Sequence, residues 1–83
     1  MPKRKKSAQN ATSRTYTVCF VPDSEAGGFN VHIPALGIVT EGETLAQAKD
    51  MARDAIEGWI EAAQELGVPI PEDVTTERVE VSA

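Results

Sequence analysis

The sequence is poor in the side chains that most often carry chemistry. Its 83 residues include one cysteine, Cys19, and one histidine, His32. A single cysteine excludes an internal disulfide and a cysteine-rich metal site, and it fits the reducing cytoplasm, where we expect the protein to reside. No apolar run approaches the ~20 residues that a membrane-spanning helix needs. The basic start is not followed by the apolar segment of a secretory signal.

Charge is divided unevenly between two parts of the chain. Residues 1–14 have a charge of +5 with no acidic residue, whereas residues 15–83 have a charge of −10. The first part lacks periodicity, so we predict a disordered basic arm over 1–14 and one folded domain over 15–83. An acidic domain repels nucleic acid and attracts basic proteins. Because so small a domain buries only a modest fraction of its surface, we also expect a homodimer or a higher homo-oligomer.

Alternating apolar residues predict three short strands in the first half of the chain. Residues 16–21 and 29–33 alternate with period two around the turn sequence DSEAGG, which predicts an antiparallel hairpin. Residues 38–41 predict a third strand, and Pro22 should end the first strand or lie at a sheet edge. Residues 77–82 alternate again and predict a fourth, C-terminal strand.

The period changes to 3.6 residues after Thr44, which predicts a helix over residues 45–66. Thr44 and Gln47 have the spacing of a capping box. Gly67 can adopt the left-handed conformation that ends a helix, and Pro69 blocks continuation. The predicted apolar stripe consists of Leu45, Ala48, Ala52, Ala55, Ile56, Trp59, Ala63 and Leu66.

These elements predict an α+β fold of order β-β-β-α-β, with one long helix packed on one face of the sheet. A helix of 22 residues spans ~33 Å, whereas strands of five to seven residues span only ~17–23 Å. The helix should therefore overhang the sheet. Its overhanging apolar surface needs a cover, either from the connector that follows it or from a second subunit.

Over residues 15–73 the chain resembles the HicB antitoxin family. The resemblance is carried by YTVCFVPD at 16–23, Gly-Gly-Phe at 27–29, VHIPAL at 31–36, TEGET at 40–44, the alanine-rich helix at 48–56 and Pro-Ile-Pro at 69–71. It implies a partial ribonuclease-H-like fold, with a curved antiparallel sheet, one helix and a fourth strand beside the first. It also implies a partner, a small basic HicA-type toxin that degrades mRNA and that the antitoxin silences.

The chain departs from the family pattern at two places. The usual PALPGC stretch is shortened to PALG followed by Ile38, which predicts a tighter loop. Many family members carry a C-terminal helix-turn-helix or ribbon-helix-helix segment that binds the operator, and nothing after the last predicted strand has that pattern. We therefore do not expect DNA binding through such a module.

The carboxylates do not have the arrangement that ribonuclease-H chemistry requires. That chemistry needs several clustered carboxylates to hold divalent metal. The first strand has none between Thr15 and Val21, and the acidic residues nearby lie in two separate turns, namely Asp23 and Glu25 in one and Glu41 and Glu43 in the other. We therefore expect a binding protein rather than an enzyme, with no catalytic residue, metal or cofactor.

His32 and Cys19 are better explained by structure than by catalysis. His32 alternates with apolar residues, so its side chain should point away from the core, toward solvent or an interface. A catalytic histidine would also need an orienting partner and a nucleophile. Nothing in the sequence around Cys19 marks it as a reactive thiol, and we expect a small buried or half-buried packing residue.

The charged face of the predicted helix is the most informative feature for function. We call its five carboxylates, which are spaced 4, 3, 4 and 4 residues apart, the acidic ridge: Asp50, Asp54, Glu57, Glu61 and Glu65. A helical period places them within about 80° of one another. Such a ridge is either an ordinary solvated face or a surface that docks a basic partner. The sequence leaves open whether the ridge or a sheet edge would contact the toxin.

The basic arm also admits two interpretations. Lys3, Arg4, Lys5 and Lys6 could hold phosphate without sequence specificity, or they could form a solubilising tail that shields the acidic domain. Our expectation from the sequence is an antitoxin-like binding protein that occludes the active site of an RNA-cleaving toxin. The alternative is a solitary regulatory or scaffold domain of the same type without a toxin partner, with weak nucleic-acid contact through the arm.

Overall fold

The computed structural model of the chain describes residues 13–82. They form a three-stranded antiparallel sheet of β1 (Cys19–Pro22), β2 (Phe29–Ile33) and β3 (Ile38–Gly42), in the order β1-β2-β3, followed by one helix, α1 (Leu45–Leu66). A short 3₁₀ turn, Pro34–Leu36, joins β2 to β3. The predicted α+β architecture is confirmed for these elements. Most of the basic arm predicted over 1–14 lies outside the described residues.

The pairing register explains why β1 is shorter than predicted. Cys19 pairs with His32, and Pro22 pairs with Phe29 at the other end of the strand. The strand β2 ends at Ile33 because the next residue begins the 3₁₀ turn. In the same register, residues 16 and 17 fall opposite that turn and have no β2 residue to pair with, and Val18 falls opposite Ile33 at the very end of β2 without joining the sheet. Pro22 is the last residue of an edge strand, where its missing N–H is tolerated.

The turn between β1 and β2 is closed by Asp23. Its carboxylate accepts hydrogen bonds from the backbone N–H groups of Glu25 and Ala26, each at 3.0 Å. These bonds, that from Ala26 first, hold the pKa of the Asp23 carboxyl below its ordinary value. Gly28 then follows with a positive φ of 76°, and a Cβ at that position would lie 2.6 Å from the carbonyl oxygen of Gly42. Only glycine fits both the conformation and the space.

The core lies between α1 and the inner face of the sheet. Its buried residues are Val31, Ile33, Leu36, Ala48 and Ala52, and partly buried side chains pack around them, namely Tyr16, Val18, Phe20, Phe29, Ile38, Ala55, Ile56 and Trp59. Small residues bring the helix close to β3, since a Cβ on Gly42 would lie 2.6 Å from the backbone of Ala48. The helix packs mainly on β3 and β2 and reaches β1 less closely.

Both predicted helix caps are confirmed. The Thr44 hydroxyl accepts a hydrogen bond from the Gln47 N–H at 3.0 Å, and the Gln47 side chain accepts one from the Glu43 N–H. At the other end Gly67 is left-handed, with φ 72°. The N–H of Val68 donates to the Ala63 carbonyl at 2.9 Å, which satisfies a carbonyl that the helix leaves free.

The last turn of α1 extends past the core. Leu66 is 77% exposed and Leu45 at the first turn is also exposed, so both ends of the predicted apolar stripe lie in solvent. Ala63 is the last helical residue that is buried. The helix of 22 residues is much longer than the strands of four and five residues beneath it, so it extends beyond the sheet. Within residues 13–82, no helix combines the length and the apolar character that crossing a lipid bilayer requires.

The chain after α1 does not join the sheet. Residues 68–82 have no regular secondary structure, so the fourth strand predicted over 77–82 is not formed. A strand is defined by backbone hydrogen bonds to a neighbouring strand. In residues 77–82 polar and apolar side chains alternate, but no neighbouring strand accepts or donates such bonds. The chain after α1 is attached instead near its start, where the Tyr16 hydroxyl donates to the Pro71 carbonyl and Asp73 accepts two hydrogen bonds from Thr17.

Candidate functional site

The acidic ridge lies on the outer surface of α1. All five of its side chains belong to exposed residues. Among the described residues, one ion pair touches it, between Arg53 and Asp50 at 3.5 Å, and both side chains of that pair are about 70% exposed. An exposed pair at this distance contributes little free energy. The other four carboxylates present their charge to solvent and form no ion pair within the described residues.

The basic residues of α1 lie on a different side of the helix. Lys49 and Arg53 are one turn apart and face the space between α1 and β1, together with Arg14 from the chain that precedes β1. The helix therefore presents an acidic face along the ridge and its two basic residues on the adjacent flank. Glu57 stands at the boundary, because it belongs to the ridge and also borders that space.

The space between β1 and α1 is an open groove of about 640 Å³, which we call the β1–α1 groove. Its apolar floor is formed by Val18, Phe20, Ala52, Ile56 and Ile60, and its rim carries Arg14, Lys49 and Arg53. The groove exists because the helix rests on β2 and β3 and leaves the inner face of β1 partly uncovered. Three of the four basic residues within 13–82 thus surround one apolar depression.

The groove is not evident from the sequence, since its basic residues come from positions 14, 49 and 53. The local signal is the i, i+4 spacing of Lys49 and Arg53 next to Ala52 and Ile56, which places two cations at the border of the apolar stripe. The contribution of Arg14 depends on how the chain enters β1. That path is set by tertiary contacts.

The outer face of the sheet carries the two side chains with nucleophilic or basic character. Cys19 lies opposite His32, and His32 lies opposite Val39 on the third strand. All three are exposed, so the solvent-facing position predicted for His32 is confirmed and the burial predicted for Cys19 is wrong. Cys19 is exposed because the helix covers only the other face of the sheet. A catalytic histidine needs a partner such as a carboxylate to orient its imidazole. The residue opposite His32 on β3 is Val39, which cannot do this.

Acidic residues also meet at a second, smaller depression. Asp23, Glu41 and Glu43 border a cavity of about 330 Å³ beside Asn30. The Asp23 carboxylate is occupied by N–H groups of its own turn. Over the described range 13–82, no three side chains of His, Cys, Asp or Glu are grouped closely enough to hold a metal ion.

The structure thus brings together an exposed acidic helix face and, on the adjacent flank, an apolar groove with a basic rim. Both arrangements suit binding by surface complementarity. The predicted phosphate contacts of Lys3, Arg4, Lys5 and Lys6 lie outside the described residues. No protein-family model, no curated protein and no solved structure matches the chain.

Proposed function

We propose that the protein is a HicB-like antitoxin that neutralises a small basic mRNA-cleaving toxin of the HicA type by covering its active site. The observation that supports this most directly is the acidic ridge, whose carboxylates are exposed and, apart from Asp50, have no ion pair among the described residues. Inhibition would be steric and electrostatic, with no bond made or broken by the antitoxin.

The chemistry of such a toxin explains the ridge. A protein that cuts mRNA must present basic groups to the phosphates of its substrate. A row of carboxylates competes for the same groups, and charge complementarity of this kind raises the association rate and selects the partner. Like charges four residues apart cost a helix a few tenths of a kcal/mol per pair, so the ridge costs the free protein some stability that a partner with basic groups can offset.

The fold is compatible with the proposal at the level of its elements. We propose that the three antiparallel strands and α1 form the core of a partial ribonuclease-H-like unit, to which the family adds a fourth strand beside the first. In this chain the segment after α1 is already attached to Thr17, just before β1. That attachment brings residues 71–73 next to the chain that leads into β1, which supports the proposal.

The proposal is tested by co-expression with a small basic protein encoded next to this one. The antitoxin should restore growth to cells that produce the toxin, and the two proteins should purify together. Replacing Asp54, Glu57 and Glu61 with lysine should weaken the complex at least ~100-fold and abolish rescue. The matched control reverses exposed acidic residues away from the ridge, Glu25, Glu41 and Glu72, and should retain both properties.

Three results would contradict the proposal. Equal loss of affinity in the ridge variant and in the control would remove the ridge as the docking surface. Failure of the intact protein to rescue growth would favour the solitary regulatory or scaffold domain. Metal-dependent loss of RNA in the presence of the purified protein alone, abolished by a chelator, would make it an enzyme.

A further inference from the structure

We propose that the β1–α1 groove is filled by residues 77–82 of a second copy of this chain, added as a strand along the free edge of β1. Two copies would exchange these segments reciprocally, so that each groove holds the segment of its partner. Self-assembly by this exchange does not depend on the proposed function.

The first support is the segment itself. Its sequence, ERVEVS, alternates with the period of a strand, yet in the protomer it has no strand partner. Val79 and Val81 are each 76% exposed, among the most exposed of the large apolar residues in the described chain. A strand with one apolar face and unused backbone hydrogen bonds is unstable in water unless another strand and a core cover it.

The second support is the edge that the segment would join. Within the described residues, β1 pairs with β2 on one side and with no strand on the other. Its outer N–H and C=O groups are therefore open to an incoming strand, which is the geometry of β-augmentation. A strand that joined there would lie over the opening of the β1–α1 groove, because Phe20 of β1 and Val18, which directly precedes β1, line that groove.

The third support is the agreement between the two surfaces. In a strand, Glu77, Val79 and Val81 share one face because side chains alternate. The two valines would then cover the apolar floor, and Glu77 would meet the basic rim of Lys49 and Arg53 or of Arg14. The opposite face of the segment carries Arg78, Glu80 and Ser82, which would lie in solvent beside Cys19.

The segment is not paired within its own protomer, which leaves it available to a second copy. Although Asp73 is held at Thr17, next to the start of β1, residues 74–82 of the same chain do not join that strand. Reciprocal exchange between two copies satisfies both unpaired edges and covers both pairs of valines. It generates a closed twofold dimer, the commonest symmetric assembly.

The first experiment measures the oligomeric state of the full chain by sedimentation over a range of concentrations. We expect a dimer at micromolar concentration. Replacing both Val79 and Val81 with aspartate should raise the dissociation constant at least ~100-fold. The matched control is Val39→Asp, since Val39 is also an exposed strand valine, at 68%, but lies on the outer sheet face. It should leave the dimer intact.

The valine substitutions should not unfold the protomer, because both side chains are already in solvent there, and circular dichroism checks this. A monomer at all concentrations for the wild-type chain would overturn the proposal. So would a dimer that is weakened by Val39→Asp and not by the paired valine substitutions. That second result would place the interface on the outer sheet face.

A second experiment identifies which copy supplies the segment. Neighbouring strands lie about 4.8 Å apart, within the ~4.4–6.8 Å between Cα atoms that a disulfide spans. We would introduce Glu80→Cys or Ser82→Cys, whose side chains face the same side as Cys19, and oxidise each variant mildly. We expect a reducible covalent dimer that requires both cysteines.

The controls are the wild-type chain, which holds Cys19 alone, and each new cysteine combined with Cys19→Ser. A reducible cross-link confined to the monomer would show that the segment folds onto its own chain, and it would overturn the proposal. An equal yield of covalent dimer from the wild-type chain would also overturn it, since the link would then join two Cys19 residues at another interface.

Discussion

The carboxylate of Asp73 accepts two hydrogen bonds from Thr17, from the backbone N–H at 2.9 Å and from the hydroxyl at 2.7 Å. The two residues are 56 positions apart, so the contact joins the chain that follows α1 to the chain that precedes β1. Because the bonds favour the ionised carboxylate, that from the Thr17 N–H first, they hold the pKa of Asp73 below its ordinary value of 3.8.

This contact predicts a pH dependence at the low end of the scale. A carboxyl whose pKa is depressed in the folded state stabilises the fold fully above its unfolded pKa, here about 3.8. The stabilisation is lost as the pH falls below that value through the folded pKa. An NMR titration of the Asp73 carboxyl should therefore give a midpoint below 3.8. A midpoint at or above that value would contradict the contact.

Removing the acceptor should release the same attachment. In Asp73→Ala, the Thr17 amide loses its hydrogen bond and should exchange with solvent faster at neutral pH. Glu72→Ala removes an exposed carboxylate one residue earlier and should leave that exchange rate unchanged. The two variants are compared by amide hydrogen exchange, and equal protection of Thr17 in both would show that Asp73 does not hold it.

The close approach of α1 to β3 predicts a large effect from one methyl group. In Gly42→Ala the new Cβ would lie 2.6 Å from the backbone N and Cα of Ala48, so the helix must shift. Overpacking of this kind should lower the free energy of unfolding by about 1–3 kcal/mol. Urea denaturation measures it, and an unchanged midpoint would show that the helix can move without cost.

The same substitution should have the opposite sign in the middle of the helix. Gly58 is exposed and a Cβ there would meet nothing within 4 Å. Gly58→Ala should therefore stabilise the protein by about 0.5–1 kcal/mol through helix propensity alone. The structure shows no close packing partner for this glycine among the described residues. A destabilised Gly58→Ala would mean that a partner molecule approaches the helix at this point.

Charge reversal at the centre of the acidic ridge should separate stability from binding. Glu61 has Glu57 and Glu65 one turn away on either side. Glu61→Lys replaces two repulsions with two attractions and should stabilise the free protein by about 0.5–1 kcal/mol. It should also weaken binding of a basic partner. A variant that is more stable and still binds with full affinity would mean that the ridge is only a solvated face.

The sequence predicts α1 accurately because its signals are local. The N-cap at Thr44 with Gln47, and the left-handed Gly67, are each decided within a few residues of the helix end. The predicted bounds agree with those observed. The hairpin is equally local, since its turn is closed by Asp23 and two glycines.

The features that the sequence does not predict depend on which other parts of the fold a segment contacts. The alternating pattern that includes Val79 and Val81 is typical of a strand, but a strand forms only where a second strand is available for backbone hydrogen bonding. Leu66 has the right helical phase for burial, yet the sheet ends before it. The basic rim of the β1–α1 groove combines residues distant in sequence, so the local pattern reveals the Lys49 and Arg53 pair but not the contribution of Arg14.

The spacing of the acidic ridge has a consequence for how a partner experiences it. Side chains three or four residues apart on a helix lie about 5–6 Å from one another, which is less than the Debye length of ~8 Å at physiological ionic strength. The ion clouds around neighbouring carboxylates therefore overlap, and mobile cations gather along the row as a whole. A basic surface that docks there displaces this counterion layer collectively, so its affinity should fall steeply as salt is added.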